Sequence, residues 1–312
     1  MPRRLLYRGE DNIRRQITSA ANQYGAHVYS KVRVADAINI EPLGSYELGN
    51  YALKAHFDFV VADSEHMAQF AIEFEGPGHN SVHDAKKDQI CRLDNLALFR
   101  INLPVSNTVT RQFTFVNYLV HVWFLGLKFE EMRSSGELPP DEAFMMSGFL
   151  KPDAKHIFDS DFDLVGVARG KVNAFCKREN IGLGSLAQLS IGELLLGSDQ
   201  GDYVAFSAFP IKDTKLYGRA ALGLKVPNFG LLGEVFFSRQ ELGQFCVALA
   251  IEDLLEQMKL HHFGSGHVLR WRDDVHQEID LLFGRGFSLL LAMSAGDDEL
   301  ISLASQKLKS LN

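Results

Sequence analysis

Apolar and polar positions alternate along this chain in two rhythms. From Glu10 to Tyr24, the residues Ile13, Ile17, Ala20, Ala21 and Tyr24 recur at helical spacing, and Gly25 follows where a helix end favours glycine. HVYSKVRVADAI then reads as a strand, with Val28, Val32 and Val34 set against Lys31 and Arg33. Pro42 to Asn50 is rich in turn formers. HFDFVVAD and AQFAIEFEG read as neighbouring strands joined by a short turn, followed by the polar loop GPGHNSVHD. The spacing predicts a helix over Asp84–Asn95, a strand over ALFRINL and an apolar helix over Thr114–Leu127. Antiparallel strands followed by a helical crossover imply an α/β fold, a mixed sheet with helices on its faces.

Ser134 to Asp153 breaks the rhythm with Pro139, Pro140, Pro152 and several Gly and Ser residues. We read residues 1–133 as one domain, 134–155 as a linker or long loop, and 156–312 as a second, α+β domain. In that second part, Phe162–Lys177, SLAQLSIGELLLG and Gln240–Leu260 read as helices, the last capped by Ser238. Asp297–Leu308 reads as a C-terminal helix. YVAFSAFPI, GRAALGLKV, LLGEVFFS, HVLRWRDD and GFSLLLAM read as strands.

Composition narrows the class. Of 312 residues, 46% are apolar and 23% charged, so a core can form and a mainly disordered chain is excluded. Three scattered cysteines make neither a disulfide framework nor a cysteine zinc site. No long apolar run or signal peptide is visible, which points to a soluble, cytoplasmic protein with no membrane partner. The net charge of −7 is uneven: residues 1–132 hold 14 Lys/Arg against 15 Asp/Glu, and the remainder is the acidic part. Global charge therefore does not announce a nucleic-acid-binding face, though a local basic cleft remains compatible with it. The acidic second domain reads better as a surface for a protein partner or a homo-oligomer.

The chemistry concentrates between Asp58 and Arg100. Acids inside apolar strands are costly unless paired, solvated or bound to metal. Asp58 sits in HFDFVV, and Glu73 and Glu75 share one face of IEFEG. If Asp58 and Glu73 face the same way, they can converge on Mg²⁺ or Mn²⁺, which favour hard oxygen ligands. Asp84, Lys87, Asp88 and Cys91 fall on one helical face, so Lys87 can serve such a site, while Lys86 points elsewhere. Glu75, His79 and His83 also recur every four residues, but Gly76, Pro77 and Gly78 argue against the helix that a zinc site would need. His261, His262 and His267 read as loop histidines. The trio Arg270, Trp271 and Arg272 reads as strand rather than nucleic-acid contact.

The order Asp58, Glu73-x-Glu75, GPG-His79, Asp84-xx-Lys87-Asp88 and LFRI around Arg100 resembles the PD-(D/E)XK nuclease superfamily. Within it, the pattern is most similar to the group related to very-short-patch-repair endonucleases. The resemblance spans Glu10 to Arg100. It implies a restriction-endonuclease-like sheet and metal-dependent hydrolysis of phosphodiester bonds. The nucleic acid would be DNA rather than RNA, in defence or repair. Asp58 and Glu73 would be metal ligands for Mg²⁺ or Mn²⁺. Glu75 stands where the superfamily usually has lysine, and Lys87 would take that lysine's role. His79 would bind phosphate or relay a proton, and Glu10 would line the site. The chain departs from the pattern in carrying Glu75 for a shorter aspartate and no proline before Asp58. The alternative is a non-catalytic nucleic-acid-binding or protein-interaction protein that keeps the nuclease fold.

Overall fold

A computed structural model describes residues 8–75, 81–110, 113–150, 162–181, 187, 189–211, 214–228, 236–237, 239–264, 270, 272–293, 300 and 302. The chain divides into two compact units. The first is Met1–Met146 with Gly223–Ser238, and the second is Ser147–Leu222 with Arg239–Asn312. The later part is thus not one uninterrupted domain over 156–312, because Gly223–Ser238 returns to the first unit.

In the first unit, α1 (Arg8–Ala21) buries Ile13, Ile17 and Ala20 and runs into a 3-10 turn, Asn22–Tyr24. Gly25 closes that turn with φ 68°, and its N–H returns to Asn22 O. Then come β1 (His27–Arg33) and the short α2 (Val34–Ala37). Part of the turn-rich Pro42–Asn50 stretch is helical after all, as α3 (Tyr46–Ala52). The Ser45 hydroxyl accepts from Leu48 N–H, and Leu48 and Ala52, four apart, are buried, so a cap and two anchors suffice for two turns. Strands β2 (His56–Ala62) and β3 (Ala68–Glu75) pair antiparallel. Asp63 Oδ1 holds their turn by accepting the N–H groups of Glu65 and Met67, each at 2.9 Å. Helix α4 (Ser81–Leu93) crosses over to β4 (Ala97–Asn102), which runs parallel to β3. The short α5 (Leu103–Ser106) and the two-residue strands β5 (Val109–Thr110) and β6 (Phe113–Thr114) lead into α6 (Phe115–Ser134).

A late strand, β10 (Lys225–Asn228), pairs antiparallel with β4 and completes a mixed sheet of order β1-β2-β3-β4-β10. One face buries Val60, Ala71 and Leu98 against Ile90 and Cys91 of α4 and Leu48 of α3. The other sets Phe70 and Phe99 against Trp123 of α6, at centroid distances of 5.2 and 6.3 Å. Each fully buried phenylalanine contributes about 2–3 kcal/mol. The central strands are thus covered on both faces.

The second unit has a sheet of order β11-β7-β8-β9. Its strands are β7 (Gly192–Gly197), β8 (Asp202–Ile211), β9 (Thr214–Gly223) and β11 (Ser288–Met293). Its helices are α7 (Leu164–Glu179), α8 (Arg239–Phe263) and α9 (Arg272–Gly284). Three expectations fail here. SLAQLSIGELLLG ends in strand β7 rather than a helix, because all six β7 residues are buried between β8 and β11 and no period distinguishes the two. RDD of HVLRWRDD opens α9. Asp273 and Asp274 suit its first turn, and Val275, Ile279 and Leu282 are buried at helical spacing. His261 and His262 lie in the last turn of α8 rather than in a loop. Trp271, His267, Ser238 and most of LLGEVFFS and Asp297–Leu308 lie outside the described residues. Among the described residues no helix is long and apolar enough to cross a membrane.

Candidate functional site

Strand register builds the site. Phe59 pairs with Ile72 across the antiparallel ladder, so Asp58 stands beside Glu73 on one face. Glu73 pairs with Arg100 across the parallel ladder. Lys31 stands between the pairs Ser30–Phe59 and Val32–Phe57, beside Asp58. A row Lys31, Asp58, Glu73, Arg100 therefore crosses four strands.

At one end of the row, the Lys31 ammonium donates to Asp58 Oδ1 at 2.7 Å and to Glu10 Oε1, from the first turn of α1, at 3.0 Å. Lys31 has φ 55°, in the left-handed region, although it sits mid-strand. That conformation costs about 1–2 kcal/mol in a residue with a Cβ. Burial draws the Lys31 ammonium down, but its bonds to Asp58 and Glu10 outweigh this and leave it raised. The second Asp58 oxygen, Oδ2, accepts the Phe74 N–H at 2.9 Å.

At the other end, α4 closes over the row. Lys87 donates to Glu73 Oε1 and, at 3.0 Å, to the His56 carbonyl. Arg100 is 5% exposed. Its guanidinium donates to Asp88 and, at 3.2 Å, to the Asp84 carbonyl, while its Nε lies 3.8 Å from both Glu73 and Asp84. That buried Nε makes no hydrogen bond. Burial pushes the Glu73 carboxyl above its ordinary range, Lys87 opposes the push, Asp58 adds to it and Arg100 opposes it. Burial, followed by the nearby Glu73 charge, pushes the Cys91 thiol up to about 12, so Cys91 packs as an inert core residue.

The structure thus brings Asp58, Glu73 and Lys87 together and joins Glu10 to them through Lys31. Glu75 follows on the same strand face, half-buried. His79 lies outside the described residues. Lys86 points away and pairs with Glu47 at 2.6 Å, and His83 stacks on Tyr51. Arg270 pairs with Asp253. Residue reasoning missed Lys31 and the joint hold of Asp84 and Asp88 on Arg100. A lone arginine inside LFRI was the available signal for the second, because a buried arginine demands acids opposite it.

Six carboxylates (Glu10, Asp58, Glu73, Glu75, Asp84, Asp88) share this region with three cations (Lys31, Lys87, Arg100). The formal excess is negative. Asp58 and Glu73 offer oxygens of the kind that hard divalent ions favour, but both Asp58 oxygens and Glu73 Oε1 already accept hydrogen bonds, from Lys31, Phe74 N–H and Lys87. Among the described residues no group of three or more His, Cys, Asp or Glu side chains is arranged to hold a metal by itself.

Residues 2–113, which include every member of this cluster, match a family model described as a protein of unknown function (DUF2726). No curated protein matches the chain, and no solved structure matches it.

Proposed function

We propose that the first unit is a metal-dependent nuclease with a restriction-endonuclease-like fold, hydrolysing phosphodiester bonds in DNA rather than RNA. One observation carries the reading: Asp58 and Glu73 lie side by side on neighbouring strands, with Lys87 delivered onto Glu73 from α4. Asp58 and Glu73 would hold Mg²⁺ or Mn²⁺, which would polarise a phosphoryl oxygen and acidify a bound water. Lys87 orients Glu73 and supplies positive charge beside a bound phosphate. Arg100 adds positive charge beside Glu73, with Asp84 and Asp88 fixing Arg100 in turn. Glu75 is the next acid on that face and can take a proton from an attacking water. The mixed sheet covered by helices on both faces supports the fold assignment.

A second reading has its own support. Asp58 is bonded to Lys31, and Glu73 to Lys87, so the cluster already neutralises much of its charge. That favours a protein that keeps the fold and binds nucleic acid or a protein partner without cutting. Calorimetric titration of Mn²⁺, with and without a DNA duplex, separates the two. The nuclease reading expects binding by the wild type, loss in Glu73→Ala and Mn²⁺-dependent cleavage of the duplex. Absence of both binding and cleavage with DNA present would leave only the second reading standing.

A further inference from the structure

The second unit contains a cleft of about 860 Å³, within the size range of small-molecule sites. Its walls are largely apolar: Leu195 of β7, Val247 of α8, and Leu291 and Met293 of β11 line it. Leu291 and Met293 are 36% and 47% exposed, so the apolar wall is open to an entering molecule.

Among the described residues, the charged groups that line the cleft are Asp163, Arg169 and Glu193. Glu193 sits in the strand GELLLG and is 1% exposed. Arg169 Nε and a terminal guanidinium nitrogen both lie 2.8 Å from the same Glu193 oxygen, Oε1. The other oxygen, Oε2, accepts no hydrogen bond among the described residues. Burial pushes the Glu193 carboxyl up and Arg169 only partly offsets this. A buried carboxylate satisfied at one oxygen is costly, and a second cationic donor would relieve that cost. Anions are poorly served here. Arg169 is committed to Glu193, and Asp163 Oδ1 already takes the Gly166 N–H at 2.8 Å at the start of α7. Among the described residues, these three charges sum to a formal excess of one negative.

We propose that this cleft binds a small organic cation, an ammonium or amidinium group on an apolar body. Its N–H donors engage Glu193 Oε2, and its apolar part packs on Leu195, Val247 and Met293. The site is independent of the cluster around Asp58.

Hexylammonium, 1-hexanol and hexanoate share one apolar body and differ in head charge. Calorimetric titration of each into the full chain at neutral pH tests the proposal. The expected order is hexylammonium, then hexanol, then hexanoate. Hexylammonium should bind at least about tenfold tighter than hexanoate, the worth of one charge-assisted hydrogen bond. Glu193→Gln should bring hexylammonium to the affinity of hexanol. Val165→Trp, in the lining on α7, narrows the cleft without disturbing a charge and should weaken all three. If Glu193→Gln fails to fold by circular dichroism, the head-group order and Val165→Trp still decide. Hexanoate binding as well as hexylammonium, no binding of any probe, or hexylammonium binding intact in Val165→Trp would each overturn the proposal.

Discussion

Two glutamates of this protein solve the same problem differently. Glu73 and Glu193 both interrupt an apolar strand, both are almost fully buried, and burial pushes both carboxyls up. Glu73 sits in a crowd: Lys87 on one oxygen, Arg100 near the other, Asp58 beside it. Glu193 has Arg169 on one oxygen and a cleft beside it. The crowded site spreads its charge over several elements, so removing one member strands the others. The sparse site leaves one valence for a ligand. Burial alone therefore does not identify function, whereas the number and origin of partners does.

The largest effect should come from the crowded site. Arg100→Leu leaves Asp88 and Glu73 facing each other without their buried cation and should cost about 3–5 kcal/mol in urea unfolding. A loss below about 1 kcal/mol would mean that Arg100 is not the centre of a network. Arg169→Met should cost less, about 1–3 kcal/mol at neutral pH, because only Glu193 is stranded and Arg169 is itself partly exposed. Its cost should also depend on pH. A carboxyl whose folded pKa is raised favours the folded state below the ordinary carboxylate range and loses that contribution as pH rises through the folded value. The Arg169→Met penalty should therefore shrink towards pH 4 and grow towards pH 7, and an equal penalty at both would contradict the raised Glu193 carboxyl. Glu73→Gln should flatten the same kind of slope in the first unit, with a cost of about 1–3 kcal/mol for leaving Lys87 without its carboxylate. The smallest effect concerns Lys31. Lys31→Gly gives up a bridge that is 39% exposed, worth under about 1 kcal/mol, but accepts φ 55° freely. Lys31→Ala gives up the bridge and keeps the strain, so it should be about 1 kcal/mol less stable than Lys31→Gly. Equal stabilities would show that the backbone is not strained there.

The same contrast explains what was readable from residues alone. β2, β3, α4 and β4 were legible because each has a clean apolar rhythm and a punctuating turn, and Asp58, Glu73 and Lys87 were visible as charges that broke those rhythms. Lys31 gave no such signal: a lysine in an alternating edge strand is ordinary, and its left-handed backbone is a tertiary effect. Strand β7, buried on both faces, carries no period, so GELLLG passed for a helix end, and Glu193 went unnoticed with it. GRAALGLKV reads as one strand but ends β9 and opens β10, and the pairing of β10 was missed for another reason. Its partner β4 lies more than a hundred residues earlier, and no local pattern can announce such a pairing.

That last pairing has a consequence for how the chain is made. At about 5–20 residues per second, the ribosome needs roughly 6–25 seconds after finishing β4 to deliver β10. During that interval the β4 edge has its N–H and C=O groups without the strand that will cover them, while β7, β8 and β9 emerge. Nascent chains halted between β4 and β10 should thus be the ones most prone to pair with one another, and to engage chaperones, until Lys225–Asn228 seals the sheet.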